Sequence, residues 1–204
     1  KIREQVEYVK KFQQQEQQDP SLKEEIAKAD KETELSVQTI AKLFHDEANR
    51  TKKRNTYEYA RDVYALYLEA YPKTEKSYET RFFYSELLYK LKEYDKAAVQ
   101  YQLTFDTDPK GKYTSDCLYN IVLAYEILAK NDLKKATRGM KKKGLEPVEL
   151  PEVVKKLQDA AKQYVRNLKQ ADHVVKCKYI IANIYYLYNH FDKANRRFAR
   201  IALM

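Results

Sequence analysis

The chain has 204 residues, with 39 Lys or Arg against 30 Asp or Glu, so its formal net charge at pH 7 is +9. Three Gly are too few for a Gly-rich phosphate loop, and no stretch approaches the ~20 apolar residues that span a bilayer. Charged residues make up 34%, but mixed signs and regular apolar spacing argue against disorder.

The first predicted element is an irregular helical hairpin over residues 1–32 that covers the repeats beginning at residue 33. Its first helix carries apolar residues on one face, at Ile2, Val6, Val9 and Phe12. Asp19 is placed to cap a second helix with Pro20 at its first position, and we expect that helix to end at about Asp30. A short coiled-coil arm is the alternative, but three apolar turns fall short of sustained heptads.

From residue 33 onward, a short pattern recurs four times. A small residue is followed four positions later by an aromatic, and in two copies by a proline eight positions further on. The copies are Ala60-Tyr64-Pro72, Ala97-Tyr101-Pro109, Ala160-Tyr164 and Ala194-Phe198. The small residues let two helices approach closely, and the aromatics fill the space beside them. A fixed period of this size predicts an all-α solenoid of stacked helical hairpins.

The copies divide the chain into hairpins at about 33–73, 74–111, 112–172 and 173–204, of which the last is incomplete. In the third hairpin the second helix is delayed, since Ala160 lies far from Tyr125 whereas Ala194 closely follows Tyr185. We therefore place an insertion at residues 129–152. Gly144 and Pro147 indicate a loop there, and Pro151 is placed to start the next helix.

These features resemble the tetratricopeptide repeat family. The resemblance rests on the turn-small-aromatic order, the run Leu118–Tyr125 and the terminal prolines, and it covers roughly Glu34 to Met204. It implies a right-handed α-solenoid that binds other proteins. The Tyr71-Pro72 pair with its long following loop is similar to bacterial cell-envelope repeat proteins, such as outer-membrane lipoproteins of the β-barrel assembly machinery. This implies a periplasmic or outer-membrane-associated location, with the cytoplasm as the alternative.

In that family the first helix of each hairpin lines a concave groove for a partner peptide or helix. The resemblance implies these partner-binding residues: Asn49, Phe82, Glu86, Tyr89, Tyr119, Glu126, Tyr179, Asn183 and Tyr186. It also places Lys42, His45, Lys52, Glu79, Lys90, Asp116, Leu123 and Lys176 on the same stripe. Tyr offers a large contact area at a small entropic cost. The alternative is that some of these tyrosines pack against each other across the groove. The carboxylate clamp with which the family binds chaperone tails needs basic and asparagine residues in consecutive hairpins. Acidic Glu79 and Glu86 depart from that pattern, which argues against a chaperone tail as the partner.

The insertion is a second candidate site, because it forms a basic loop between Lys130 and Lys143. Its candidate anion-binding residues are Lys134, Lys135, Arg138, Lys141, Lys142 and Lys143. Such a loop suits nucleic acid or an anionic surface. It also suits a mobile, solubilising segment. Nucleic-acid binding usually brings stacking aromatics into the basic segment, and none occurs between Lys130 and Lys143, which argues against nucleic acid.

An enzyme is not expected. The three histidines, His45, His173 and His190, share no metal-ligand spacing, and no nucleophile elbow is present, so we expect no catalytic residue, metal or cofactor. Cys117 and Cys177 occupy equivalent helix positions. Because packed helix axes lie ~8–10 Å apart, these two residues are predicted to be buried free thiols rather than a disulfide. Self-association, or packing on flanking repeats, is a third hypothesis, because the hairpin that ends at Met204 is incomplete.

Overall fold

The computed structural model describes residues 2–16, 20–139 and 144–204. Within these ranges the protein is all-helical, with nine α-helices, one 3₁₀ turn at Pro20–Leu22 and no strand, which confirms the all-α prediction. The helices are α1 (Ile2–Glu16), α2 (Lys23–Thr51), α3 (Arg54–Ala70), α4 (Ser77–Lys90), α5 (Tyr94–Thr107), α6 (Thr114–Gly139), α7 (Glu152–Asn167), α8 (Val174–Leu187) and α9 (Phe191–Ala202). No helix among the described residues is long and apolar enough to cross a membrane.

The second helix corrects two expectations about the N-terminal region. Helix α2 does not end near Asp30 but continues to Thr51, because no Gly or Pro interrupts residues 23–51 and Ala, Glu and Lys are frequent there. The boundary expected between residues 32 and 33 therefore lies inside one helix. The helix also begins at Lys23, after the 3₁₀ turn, with Leu22 as its N-cap. Asp19, the expected cap, lies outside the described residues.

The chain forms two compact units, Lys1–Lys92 and Glu93–Met204. In the first unit α2 packs against α1 and α3, and α3 packs against α4. The rings of Tyr64 and Tyr67 are almost fully buried, at 1% and 0% exposure. Two apolar clusters surround them, one formed by Val6, Val37, Tyr67, Leu68 and Tyr71 and the other by Ala41, Ala60, Tyr64 and Leu87.

Buried tyrosines in this unit keep their hydroxyls hydrogen-bonded. The hydroxyl of Tyr67 donates to Glu34 Oε1 at 2.6 Å and lies 3.0 Å from Thr74 Oγ1. The hydroxyl of Tyr71 donates to Asp30 Oδ1 at 3.1 Å. These bonds tie α3 and the turn that follows it to the N-terminal half of α2, which explains how a phenol is accommodated in the core.

In the second unit α6 packs against α5, α7 and α8, and α8 also packs against α7 and α9. Its fully buried large side chains include Tyr101, Leu118, Val122, Val154, Leu157, Tyr164 and Ile184. Both cysteines, Cys117 and Cys177, are buried and free, as predicted. Burial raises the pKa of Cys177 to about 11, so this thiol stays protonated at neutral pH.

The small and aromatic residues of the recurring pattern are mostly buried. The alanine is at most 6% exposed in all four copies, and the tyrosine at most 1% exposed in three of them, whereas Phe198 is half-buried. Three of the tight turns between helices share a second feature, a residue other than Gly with positive φ. These residues are Lys52 (57°), Lys92 (65°) and Asn189 (61°). Lys52 and Asn189 lie just past the ends of α2 and α8, where a left-handed residue commonly ends a helix.

The insertion differs from its prediction. The segment expected to be a basic loop from Lys130 is helical as far as Gly139, because residues 130–138 contain no Gly or Pro, and Lys, Leu, Ala and Arg are frequent there. We call residues 129–139 the α6 extension and residues 144–151 the return segment. Lys141, Lys142 and Lys143 lie outside the described residues. Helix α7 begins at Glu152 with Pro151 as its N-cap, one residue later than predicted.

Polar contacts fasten the return segment to the turn between α8 and α9. Asn189 Nδ2 donates to the carbonyl oxygens of Gly144 at 2.8 Å and of Glu146 at 3.0 Å. The backbone N–H of Val148 donates to the Tyr188 carbonyl at 2.9 Å, and His190 Nε2 lies 3.1 Å from the Val148 carbonyl. Because these groups come from one tight turn, the turn sets the path of the whole segment.

Candidate functional site

A candidate site is a cleft of about 470 Å³ in the first unit, between α2 and α4. Both helices place side chains at helical spacing along it, and Tyr64 from α3 contributes as well. The lining residues are Lys42, His45, Asp46, Asn49, Tyr64, Glu79, Phe82, Phe83, Glu86 and Lys90. Seven of these ten belong to the stripe projected from the sequence, since only Asp46, Tyr64 and Phe83 were not projected.

Contacts between α2 and α4 show that the two helices lie side by side and run in the same direction. At one end Gln38 Nε2 donates to Thr80 Oγ1 at 3.3 Å. At the other end Lys90 Nζ donates to Asn49 Oδ1 at 2.6 Å. Near the first of these contacts, Lys42 and Glu79 form an ion pair of 3.8 Å, with both side chains more than one-third exposed. Because this pair is long and exposed, it is weak and open to competition from a ligand.

Asn49 has its carbonyl oxygen already engaged. Besides the bond from Lys90, Asn49 Oδ1 accepts a hydrogen bond from the Tyr57 hydroxyl at 3.1 Å, and Lys90 Nζ lies 5.6 Å from the centre of the Tyr57 ring. With Oδ1 engaged in this way, the amide group of Asn49 is held in one orientation.

The floor of the cleft is aromatic. His45 is only 9% exposed, and its ring lies edge-on to Tyr64 and Phe83 at centroid distances of 5.8 and 6.1 Å. Its Nδ1 lies 3.3 Å from the Tyr64 hydroxyl. Burial, followed by the positive charge of Lys90, lowers the pKa of His45, and Asp46 opposes this only in part. At neutral pH the floor is therefore uncharged, and the charges of the cleft lie on its other lining residues.

The structure places two of the projected residues of this unit, Phe82 and Tyr89, away from an open surface of the cleft. Phe82 lines the cleft but is only 9% exposed, because it also packs on Phe83 at a centroid distance of 5.8 Å. It therefore belongs to the floor of the cleft rather than to an open contact surface. Tyr89 is half-buried and does not line the cleft. Glu86 lines it as projected.

In the second unit, Tyr119 and Glu126 lie in one polar cluster with α8. The Tyr119 ring stacks on His173 with centroids 3.6 Å apart and planes 13° from parallel. Lys176 Nζ donates to the Tyr119 hydroxyl at 3.2 Å and lies 3.3 Å from Glu126 Oε2. Burial disfavours the charged form of Lys176, but the bond to Tyr119 and the charge of Glu126 outweigh that effect and raise its pKa. Tyr119 is half-buried and packs on His173 in this cluster.

The remaining projected residues lie on α8. Tyr179 and Tyr186 are 53% and 42% exposed, and each contacts one ring of α9 edge-on, Phe198 and Phe191 respectively, at 5.8 Å. Asn183, which lies between these two tyrosines in the sequence, is half-buried. Two large aromatic side chains on one helix face thus remain accessible to a partner.

Sequence reasoning missed Asp46 and His173. Asp46 could have been found, because it lies one turn after Lys42 and almost one turn before Asn49 on the same face of α2. The stacking of His173 on Tyr119 joins residues that are distant in the chain, and no local pattern indicates it.

Comparisons with known proteins leave the family open. No family model matches the chain, and no curated protein matches it. Among solved structures, the crystal structure of BtubC (BKLC) from P. vanneervenii aligns with 98% of this chain and 88% of that chain, at 14% sequence identity and a TM-score of 0.34. A likeness this weak carries no argument about fold or function.

Proposed function

We propose that the chain is a right-handed α-solenoid of the tetratricopeptide type and acts as a non-enzymatic scaffold. Its partner is a peptide or helix of another protein. The observation that carries the proposal is the cleft between α2 and α4, because two neighbouring parallel helices present matched polar residues above an aromatic floor. The proposed envelope location rests on the resemblance around Tyr71-Pro72.

Three features of the structure support the repeat interpretation. The alanine of the recurring pattern is buried in every copy. Positive φ recurs at three of the tight turns, at Lys52, Lys92 and Asn189. Helices α2 and α4, the first helices of two successive predicted hairpins, run side by side in the same direction. These features are expected when successive hairpins stack with the same geometry.

The cleft suits a peptide better than it suits a catalytic reaction. Its charged residues are of both signs, with Lys42 and Lys90 against Asp46, Glu79 and Glu86. A peptide offers amides and charges of both signs to such a surface, and its apolar side chains can cover the aromatic floor. The His45 imidazole is packed between two rings and sits against a tyrosine hydroxyl, as a structural histidine does.

The test is a peptide selection on the intact chain, followed by affinity measurement with matched variants. Peptides would be selected from a random displayed library, and their dissociation constants measured by fluorescence anisotropy. The cleft variant is Lys42→Ala/Asp46→Ala/Lys90→Ala. The control variant, Lys73→Ala/Glu75→Ala/Lys76→Ala, removes the same charges from an exposed turn.

We expect the cleft variant to bind selected peptides at least about tenfold more weakly, since a few central residues carry most of the binding energy of an interface. The control should bind within about twofold of the parent chain, and helical circular dichroism should be unchanged in both variants. Equal binding by the parent and the cleft variant would remove the cleft from the proposal. If Tyr179→Ala/Tyr186→Ala then weakened binding instead, the exposed face of α8 would be the contact surface.

A further inference from the structure

The positive charge of the protein is concentrated in one unit. Residues 93–204 contain 21 Lys or Arg and 13 Asp or Glu, whereas residues 1–92 contain 18 and 17. The second unit therefore carries +8 of the net +9. A charge surplus attracts a charged partner most strongly where the basic residues are grouped on the surface, so their positions on the helices matter.

The α6 extension presents one exposed basic face. Lys130, Lys134 and Arg138 are spaced four residues apart, so they lie on the same side of the helix and rise by about 6 Å at each step. All three side chains are exposed. The other exposed residues of the extension are also polar, at Asn131, Lys135 and Thr137.

Nearby carboxylates are already paired with other lysines. Glu126 pairs with Lys176 at 3.3 Å, Asp132 with Lys135 at 3.7 Å, and Glu149 with Lys155 at 2.8 Å. In the part of the chain that the structure describes, no carboxylate oxygen lies within 4.0 Å of the charged atoms of Lys130, Lys134 or Arg138. These three cations are thus available to an outside ligand.

The rest of the unit holds this helix in place. Ala129 is fully buried, and Asp132, Lys135 and Ala136 line a cleft shared with Val148 and Pro151 of the return segment and with the end of α8. The return segment is itself fastened by Asn189, as described above. The basic face is therefore preorganised, and a ligand does not have to order a loop on binding.

We infer that this face, Lys130-Lys134-Arg138, binds an acidic helical segment of a protein partner. An α-helix with carboxylates at positions i, i+4 and i+8 repeats at the same 6 Å spacing, so three ion pairs form in register. The exposed surface of the extension offers no aromatic ring on which a nucleic-acid base could stack, and no large apolar side chain for insertion into a lipid surface. This inference goes beyond the proposed function, because it concerns a different unit and a different surface.

The probe is a 16-residue peptide on an Ala and Gln background, with Glu at positions i, i+4 and i+8. A second peptide of identical composition has its Glu residues out of register. The intact chain would be compared with Lys130→Gln/Lys134→Gln/Arg138→Gln. The matched control, Lys110→Gln/Arg166→Gln/Lys169→Gln, removes two exposed lysines and a last-turn arginine elsewhere in the same unit.

We expect the in-register peptide to bind about tenfold more weakly to the first variant, because three exposed ion pairs are lost. The control should stay within about twofold, and the affinity of the parent chain should fall as salt rises. Equal losses in both variants would overturn the inference, because attraction would then follow net charge alone. Equal binding of both peptides would also overturn it. A third overturning result is tighter binding, at this same face, of a 16-nucleotide single strand or of vesicles containing phosphatidylserine.

Discussion

Replacing Tyr67 by Phe removes one hydroxyl from the core of the first unit and keeps the ring. The ring is fully buried, and the hydroxyl donates to the Glu34 carboxylate at 2.6 Å while lying 3.0 Å from Thr74 Oγ1. A hydrogen bond to a charged group contributes about 1.5–3 kcal/mol to stability. Glu34 is half-buried and regains water when the hydroxyl is removed. We therefore take the low end of the range, about 1.5 kcal/mol, as the expected loss in the free energy of unfolding.

The assay is hydrogen exchange with mass spectrometry, read on peptides from α2 and α3. A loss of about 1.5 kcal/mol corresponds to roughly tenfold faster exchange of amides that open with this unit. The control is Tyr59→Phe, because Tyr59 is 59% exposed. This variant should lower the free energy of unfolding by less than about 0.5 kcal/mol. A double-mutant cycle with Glu34→Gln isolates the pair. If Tyr67→Phe exchanges like Tyr59→Phe, or the cycle shows no coupling, the bond to Glu34 does not hold α3 on α2.

Three further outcomes follow from the backbone and from burial. Lys52→Gly should stabilise the chain by about 0.5–1 kcal/mol in urea unfolding, because Lys52 has φ 57°, whereas Lys53→Gly, at φ −78°, should give no gain. Asn189→Ala should lower the free energy of unfolding by about 2 kcal/mol and speed proteolysis of the return segment, since it removes both hydrogen bonds of Asn189 Nδ2 and a residue that tolerates positive φ. Asn189→Gly should recover only the part of this loss that comes from the backbone conformation. Burial raises the pKa of three tyrosines above the usual 10, so the neutral phenols stabilise the fold below about pH 10, and that contribution declines as the pH rises further. These three tyrosines are Tyr64, Tyr67 and Tyr71. A urea midpoint that is unchanged at pH 11, while tyrosinate absorbance appears, would contradict this last point.

Local regularity made much of the helical architecture predictable. Scarce Gly and Pro favour long helices, and the alanine and aromatic at a four-residue spacing indicate a face that must be buried. The structure confirms the all-α class and buries that pair in three copies. The helical stripe through Lys42 and Asn49 could be projected for the same reason, because residues spaced by about 3.6 share a face whatever lies opposite.

The sequence alone determined where α3 and α5 end, because a strong breaker, Pro72 or Pro109, stands just past each end. Without one, two boundaries were wrong: α2 runs past Asp30, and α6 continues through the segment expected to be a loop. Tertiary structure decided which groove residues stay accessible, leaving Tyr179 open, burying Phe82 and stacking Tyr119 on His173. The physical reason is that helix propensity and face periodicity are properties of neighbouring residues, whereas exposure depends on what a distant segment places against that face.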